Sequence, residues 1–434
     1  MKRWVLIGVM TALVVLAASL GVNIYLGGCR SLKTRIAERK LNESPGTMPS
    51  AAEDWPCWRG PRGDGITSEN ISGWKVQGWR MLWAADVGLG YSSPVAARGR
   101  VYLFSLNNRR EALTAFDANS GRIVWNHEGD VGWVGNYPGT RAAPAIDGDR
   151  IYTYGGAGDL VCRDLATGAV QWSVNVLQAS GSRNLGWGVS GSPLVVGELI
   201  YVQGGKGGPI ALAVRKDSGS IAWKSQAQGL GGYAHPIVAD VCGTKQLVVF
   251  GGDAAWGLQP TTGQTIWTVP WKTSYDVNAS TPVYADGHLF ITSAYDRGCM
   301  MLRLSADGAT KLWENKQITA RFQGAILDGG LLFANSEGTL KCLSWPDGSL
   351  KWSSREAKLG LGGSLVRAGD RLLMLSDRGK LILARADANG MELIGQTQLL
   401  DSSEVWATPL IYARRVYVKG SEELLCFEPA GTGN

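Results

Sequence analysis

From residue 93 onward the chain is written as short apolar runs separated by turns rich in Gly, Asp and Ser. Eight of these runs are β-branched or aromatic: Val101–Phe104, Ile151–Tyr154, Ile200–Gln203, Val248–Phe250, Leu289–Thr292, Leu331–Asn335, Leu372–Leu375 and Val416–Lys419. Runs this short, bounded by turn residues, predict strands, because a helix needs a longer apolar stripe at a wider period. An X-Pro step precedes most of them, at Ser93-Pro94, Ala143-Pro144, Ser192-Pro193, His235-Pro236, Thr281-Pro282 and Thr408-Pro409, with Gly324-Ala325 and Ser364-Leu365 as degenerate copies. Each run leads into a strand ending in Asp or a substitute, then a turn, then a strand ending in Trp. Ala115 to Trp125 (AFDANSGRIVW) is the fullest example. Asp and Ser bond main-chain groups two residues on, and Gly supplies the positive φ of the turn.

The same offsets return at Cys162–Trp172, Ala213–Trp223, Gly257–Trp267 and Cys342–Trp352, with Gly four residues before each Trp. Arg303–Trp313 has its Gly one place early, and Ala384–Ile394 keeps Gly390 without a Trp. Trp83, Trp125, Trp172, Trp223, Trp267, Trp313 and Trp352 stand 39 to 51 residues apart, the length of one four-stranded propeller blade. The last unit, from Thr408, stops after its third strand, and Trp79–Trp83 is a fourth strand with no partners before it. Joining the two predicts an all-β fold: an eight-bladed β-propeller of four-stranded antiparallel blades, closed by pairing an N-terminal with a C-terminal strand. Such closure leaves no free sheet edge at the seam.

Trp4 to Leu26 is apolar and uncharged, long enough to span a bilayer as a helix or to act as a secretory signal. Leu26-Gly27-Gly28-Cys29 resembles a lipobox, making Cys29 a lipidation candidate. The expected organisation is a membrane anchor or lipoprotein signal over 1–29, a basic, polar linker over 30–53, the propeller over 54–429 and a tail over 430–434. The first 40 residues hold seven basic side chains and one acidic one, whereas the whole chain holds 43 and 37; the remainder is therefore neutral. A nucleic-acid binder would carry its positive charge on the folded domain, so that class is excluded, and an anionic membrane surface is the expected partner of the N-terminal charge. Trp55 and Trp58, in the Trp-, Pro- and Gly-dense segment 54–66, are expected to lie as a plug on one face of the ring, the alternative being a recognition segment for a partner.

Chemistry is sparse. The seven cysteines fit no disulfide framework, the three histidines have no metal-ligand spacing, and neither a phosphate loop nor a nucleophile elbow is present. The expected metal and cofactor content is none. The one candidate site is the mouth of the ring, where connections from each fourth strand to the next first strand carry aromatics. Tyr91, Trp187, Tyr233 and Trp406 are the rim rings, with Tyr137, Tyr275 and Phe322 beside them, and Arg141, His235, Asp276, Asn278, Arg321, Gln323 and Glu404 are the polar candidates. Two roles are open to these rings: packing between blades, or forming a ligand pocket.

The Ala115–Trp125 pattern resembles the tryptophan-docking repeat of the PQQ-like propeller family, and Trp55–Ile66 resembles an opening found in membrane-attached members. That resemblance implies either a non-enzymatic scaffold like the outer-membrane assembly factors or a quinoprotein dehydrogenase holding pyrroloquinoline quinone and calcium. Many of those dehydrogenases use two adjacent, disulfide-linked cysteines, and this chain has no Cys-Cys pair. The expected role is thus a non-catalytic, membrane-tethered, periplasmic scaffold, a monomer that binds envelope proteins in a complex. The alternatives are a quinoprotein dehydrogenase and a polysaccharide or small-molecule binder.

Overall fold

The computed structural model describes residues 37–39 and 52–430. The apolar run Trp4–Leu26 and Cys29 lie outside the described residues, and among the described residues no helix is long and apolar enough to cross a membrane. Eight antiparallel sheets follow one another, seven of four strands and one of five. Within each blade we name the strands A to D from the inside outward. Blade 1 shows the scheme: Val95–Ala97, Arg100–Asn107, Arg110–Asp117 and Ile123–Val131. Strands B and C are buried almost throughout, while D strands alternate buried and exposed residues and form the outer wall.

The ring closes as the strand count requires. Blade 8 takes Leu410–Tyr412, Arg415–Lys419 and Glu423–Ala430 from the C-terminus, and its D strand is Lys75–Asp86. Trp83 lies opposite Cys426 and Ala84 opposite Leu425. Three boundaries differ from expectation. The closing D strand is longer than 79–83, and strand C runs to Ala430, one residue into the expected tail. Within the expected linker, Ala37–Arg39 pairs antiparallel with Ala84–Asp86 as a fifth strand, because the outer edge of a D strand offers unpaired main-chain groups. Blade 3 also carries an addition that the repeat did not announce, a ribbon of Lys206–Pro209 with Gln228–Leu230. A short helix, Val176–Ser180, follows blade 2, started by the Asn175 cap and ended by Gly181 at φ +68°.

Blades join through the repeated Trp and Gly. The C–D turn Gly of one blade sits under the Trp of the blade before it: Gly121 under Trp83, Gly168 under Trp125, Gly219 under Trp172, Gly263 under Trp223 and Gly348 under Trp313. A Cβ on any of these would fall 2.4–2.7 Å from the side chains beneath which it lies. Their φ values, between +69° and +75°, independently favour glycine. The indole N–H then donates to a carbonyl of the same turn, as Trp83 to Ala118, Trp172 to Lys216, Trp223 to Pro260, Trp313 to Pro346 and Trp352 to Asp387. Two depart from the scheme: Trp267 donates to the Gln246 side chain, and the Trp125 indole N–H is buried without a partner. The thiols of Cys162, Cys299, Cys342 and Cys426 are buried in C strands of different blades, and every cysteine among the described residues is free.

The segment 54–66 is a plug that spans the ring. Trp55 exchanges two main-chain bonds with Ala96 of blade 1, and the Pro56 carbonyl accepts from Ile146 of blade 2. Further along, Gly65 and Thr67 bond Arg367 of blade 7, while Arg59 reaches the Ala325 carbonyl at the start of blade 6. These contacts, with Asp54 on the Arg98 amide and Glu69 on the Arg414 amide, put the plug on the face of the A–B turns. The opposite face, bearing the D–A and B–C connections, stays open.

Candidate binding site: an axial aromatic pocket

A cavity of about 310 Å³ opens on that second face. Its wall comes from D–A connections of successive blades, which bring Tyr91, Tyr137, Arg141, Trp187, Tyr233, His235, Tyr275, Arg321, Phe322, Gln323 and Trp406 together. Trp58 of the plug also lines it, held by a 2.9 Å bond from its indole N–H to the Thr281 hydroxyl. The plug therefore makes the channel blind. Trp406 is the hub of the rings, with Tyr91 stacked at 4.5 Å, Phe322 at 4.7 Å and Tyr137 at 5.4 Å between centroids. Trp187 meets Tyr233 edge-on at 5.9 Å, and Tyr275 meets Tyr295 at 5.1 Å. Gly362 permits this arrangement, since a Cβ there would lie 2.3 Å from the Trp406 ring.

Of the fourteen residues named for the rim, eleven line the cavity. Asp276, Asn278 and the exposed Glu404 do not. Asp276 is exposed at φ +57° outside the lining. Asn278 is buried in the wall, donating to the Gly251 and Trp271 carbonyls and accepting from Ser293, so its polar groups serve the loop. Neighbouring residues of one connection point alternately to cavity and core, and sequence alone does not say which. Two lining rings escaped the sequence reading of the rim. Trp58 enters from the plug, and Tyr295 lies in the B–C loop of blade 5, outside the D–A connections that make the rim.

The electrostatics are cationic. Arg141 donates to the carbonyls of Asn136, Tyr137 and Gly139, and its guanidinium carbon lies 5.7 Å from the Tyr91 ring centroid. Burial lowers its pKa to about 10, so it stays charged at neutral pH. Arg321 pairs with Glu337 at 3.4 Å and packs 4.9 Å over Tyr295. Burial raises the phenols of Tyr91 and Tyr233 to about 12 and lowers His235 to about 4, leaving all three neutral. Neutral His235 must donate through Nδ1 to the Ser192 carbonyl, 2.9 Å away. Gln323 is structural, donating to the Trp406 carbonyl and accepting from the Thr408 hydroxyl.

The lining contains no Asp or Glu, and among the described residues no group of three His, Cys, Asp or Glu could hold a metal ion. Calcium takes six to eight oxygen ligands, carboxylates prominent among them. A wall that offers arginine cations instead does not fit the calcium-bound quinone of the quinoprotein dehydrogenases. The only hydrogen bond of the His235 ring among the described residues is the one from Nδ1 to main chain, so no hydroxyl or thiol is bonded to it.

Fold and pocket together define a closed eight-bladed β-propeller with a blind, aromatic, cationic axial cavity. The chain belongs to the outer membrane protein assembly factor BamB family, whose model matches residues 74–242, 138–354 and 251–434 in overlapping windows. No curated protein sequence matches the chain. BamB from Moraxella catarrhalis is similar in fold, with a TM-score of 0.60 and 15% identity over 82% of this chain and 99% of its own. A quinohemoprotein alcohol dehydrogenase from Comamonas testosteroni is also similar, with a TM-score of 0.66 and 12% identity over 88% of this chain and 81% of its own. The computationally designed protein Ika8 shares the architecture at a TM-score of 0.58 and 10% identity, over 79% of this chain and 98% of its own. At these identities the likeness is one of fold.

Proposed function

We propose that the protein is a non-catalytic, protein-binding scaffold of the bacterial cell envelope, tethered at a membrane by its N-terminal segment and serving outer-membrane protein assembly. The observation that carries this reading is the family match, which runs through every blade. The pocket face supports it. Large apolar side chains exposed there include Val134, Tyr137, Tyr275 and Leu361, all on D–A connections. Exposed aromatics on rigidly held loops are the surface that protein partners use. A lining without a catalytic acid, base or cation site favours binding over turnover.

Photo-crosslinking tests the reading. A photoreactive residue at position 137 or 275 of the full-length protein should capture outer-membrane proteins or their assembly machinery, and Tyr137→Ala with Tyr275→Ala should reduce that capture. Dye reduction by the purified protein with pyrroloquinoline quinone and calcium, with no envelope crosslink, would overturn it in favour of the dehydrogenase. Palmitate labelling with and without globomycin tests Cys29 as the anchor.

A further inference from the structure

At the seam the ring lacks its usual joint. Blade 7 carries Ile394 where other blades carry the docking Trp. Blade 8 takes its C and D strands from opposite ends of the chain, so no C–D turn offers a glycine there. The closing strand fills part of that space by bulging. Lys75 lies opposite Ala430 and Arg80 opposite Glu428, so the four residues Val76 to Trp79 face the single Pro429. Pro429 has no N–H to give the ladder, and Gly78 turns the bulge at φ +83°. Val76 is buried against blade 7, where a Cβ on Gly395 would lie 3.1 Å from the Val76 Cβ.

The rest of the space is a groove of about 360 Å³ on the outer wall, between the bulge and strand Met391–Gln398. Trp79 and Met81 give it an apolar side: Met81 is 39% exposed, and Trp79 is half-buried, edge-on to Trp74 at 5.8 Å. The Trp79 indole N–H donates to the Lys75 carbonyl, which leaves the ring as apolar surface. Gln77, Gln396, Thr397 and Gln398 give the groove a polar side. Gln398 donates to the carbonyls of Arg378 and Leu400, whereas Gln396 accepts from Lys380 at 3.5 Å. One therefore presents its amide oxygen and the other its amide N–H groups. Among the described residues the Gln77 amide and the Thr397 hydroxyl have no hydrogen-bond partner, and none of the lining side chains is charged.

We propose that the seam groove binds a neutral oligosaccharide, its apolar C–H faces against Trp79 and Met81 and its hydroxyls on the Gln and Thr side chains. This goes beyond the scaffold reading and is independent of it and of the axial cavity. A sugar hydroxyl both donates and accepts, as a carboxamide does, so the polar side suits it. An indole beside several amides, with no ionised group among them, suits a ligand without charge, and the volume suits a short one. A partner's strand fits less well, because the bulge packed on Gly395 interrupts the edge that such a strand would extend.

The test is calorimetric titration of the full-length protein with tri-N-acetylchitotriose, cellotriose and maltotriose, in about 50 mM and about 500 mM NaCl. The expected result is saturable binding of at least one of these sugars, with Kd of about 0.1–1 mM and the same value in both salts. Trp79→Ala should weaken it at least about tenfold and Gln396→Ala about threefold, with the fold checked by near-ultraviolet circular dichroism. Leu312→Ala, on the exposed outer wall of blade 5, should leave it unchanged. No saturable binding of any of the three, the outcome if a peptide or a stretch of this chain fills the groove instead, would overturn the proposal. So would a strong salt dependence, or binding that Trp79→Ala and Gln396→Ala leave intact, since the sugar would then sit elsewhere. Gln396 is exposed on the outer wall, so its variant keeps the test open even if Trp79→Ala fails to fold. Crosslinking at positions 137 and 275 reads the scaffold separately, so the two can fail independently.

Discussion

At the scale of single residues, the most informative group outside the pocket is Glu111. It lies in strand C of blade 1, 8% exposed, and its Oε1 accepts the Gly156 amide at 2.9 Å. Gly155 allows the approach, because a Cβ there would stand 1.9 Å from the other carboxylate oxygen. Burial, with smaller contributions from Asp159 and Asp130, raises its pKa from 4.5 to about 7. Between those values the folded chain holds a proton that the unfolded chain has released. Stability from this group is therefore greatest at acid pH and falls as pH rises from 4.5 to 7. Glu111→Gln keeps an acceptor for Gly156 and removes the buried charge. Urea denaturation should show the variant more stable by about 1–3 kcal/mol at pH 8, with the gain gone at pH 4.

At the scale of elements, the unit of cohesion is one blade's Trp on the next blade's turn Gly. Gly219 has φ +73° and would place a Cβ 2.6 Å from Trp172, so substitution meets backbone strain and an indole together. Gly197, in the A–B turn of the same blade, has φ +59° with open space around it, so substitution meets strain alone. Gly219→Ala should therefore lower stability by about 2–4 kcal/mol, and Gly197→Ala by about 1 kcal/mol. Urea midpoints at unchanged m-value measure the difference. Equal losses would mean that the turn conformation matters and the docked indole does not.

At the scale of the molecule, the ring depends on its seam. Strand Lys75–Asp86 joins the three C-terminal strands of blade 8, and Trp83 docks on Gly121 of blade 1. Lys419, fully buried, adds a tie by donating to the carbonyls of Gly90, Gly420 and Ser421; burial lowers its pKa to about 7. A chain ending at residue 422 loses strand Glu423–Ala430, which lies between the other strands of blade 8. It should lose the native near-ultraviolet circular dichroism of the whole ring and its cooperative unfolding transition. A truncated chain that keeps both would show that the blades fold without closure.

The strands, the blade count and the closing pair were legible because each rests on neighbours in the chain: apolar runs, X-Pro steps, turn Gly and terminal Trp. The missing fourth strand of the last unit even located the seam, since an unpaired edge requires a partner. The aromatic rim was legible for the same reason, as it recurs at a fixed place in each blade. The third dimension decided which side chains of that rim face the cavity. It put Asn278 into the wall, brought Tyr295 in from another loop class, and set Trp58 and Arg59 beneath residues hundreds of positions away. Those placements depend on which main-chain groups bond across the axis and on the space a glycine leaves. A one-dimensional pattern records neither.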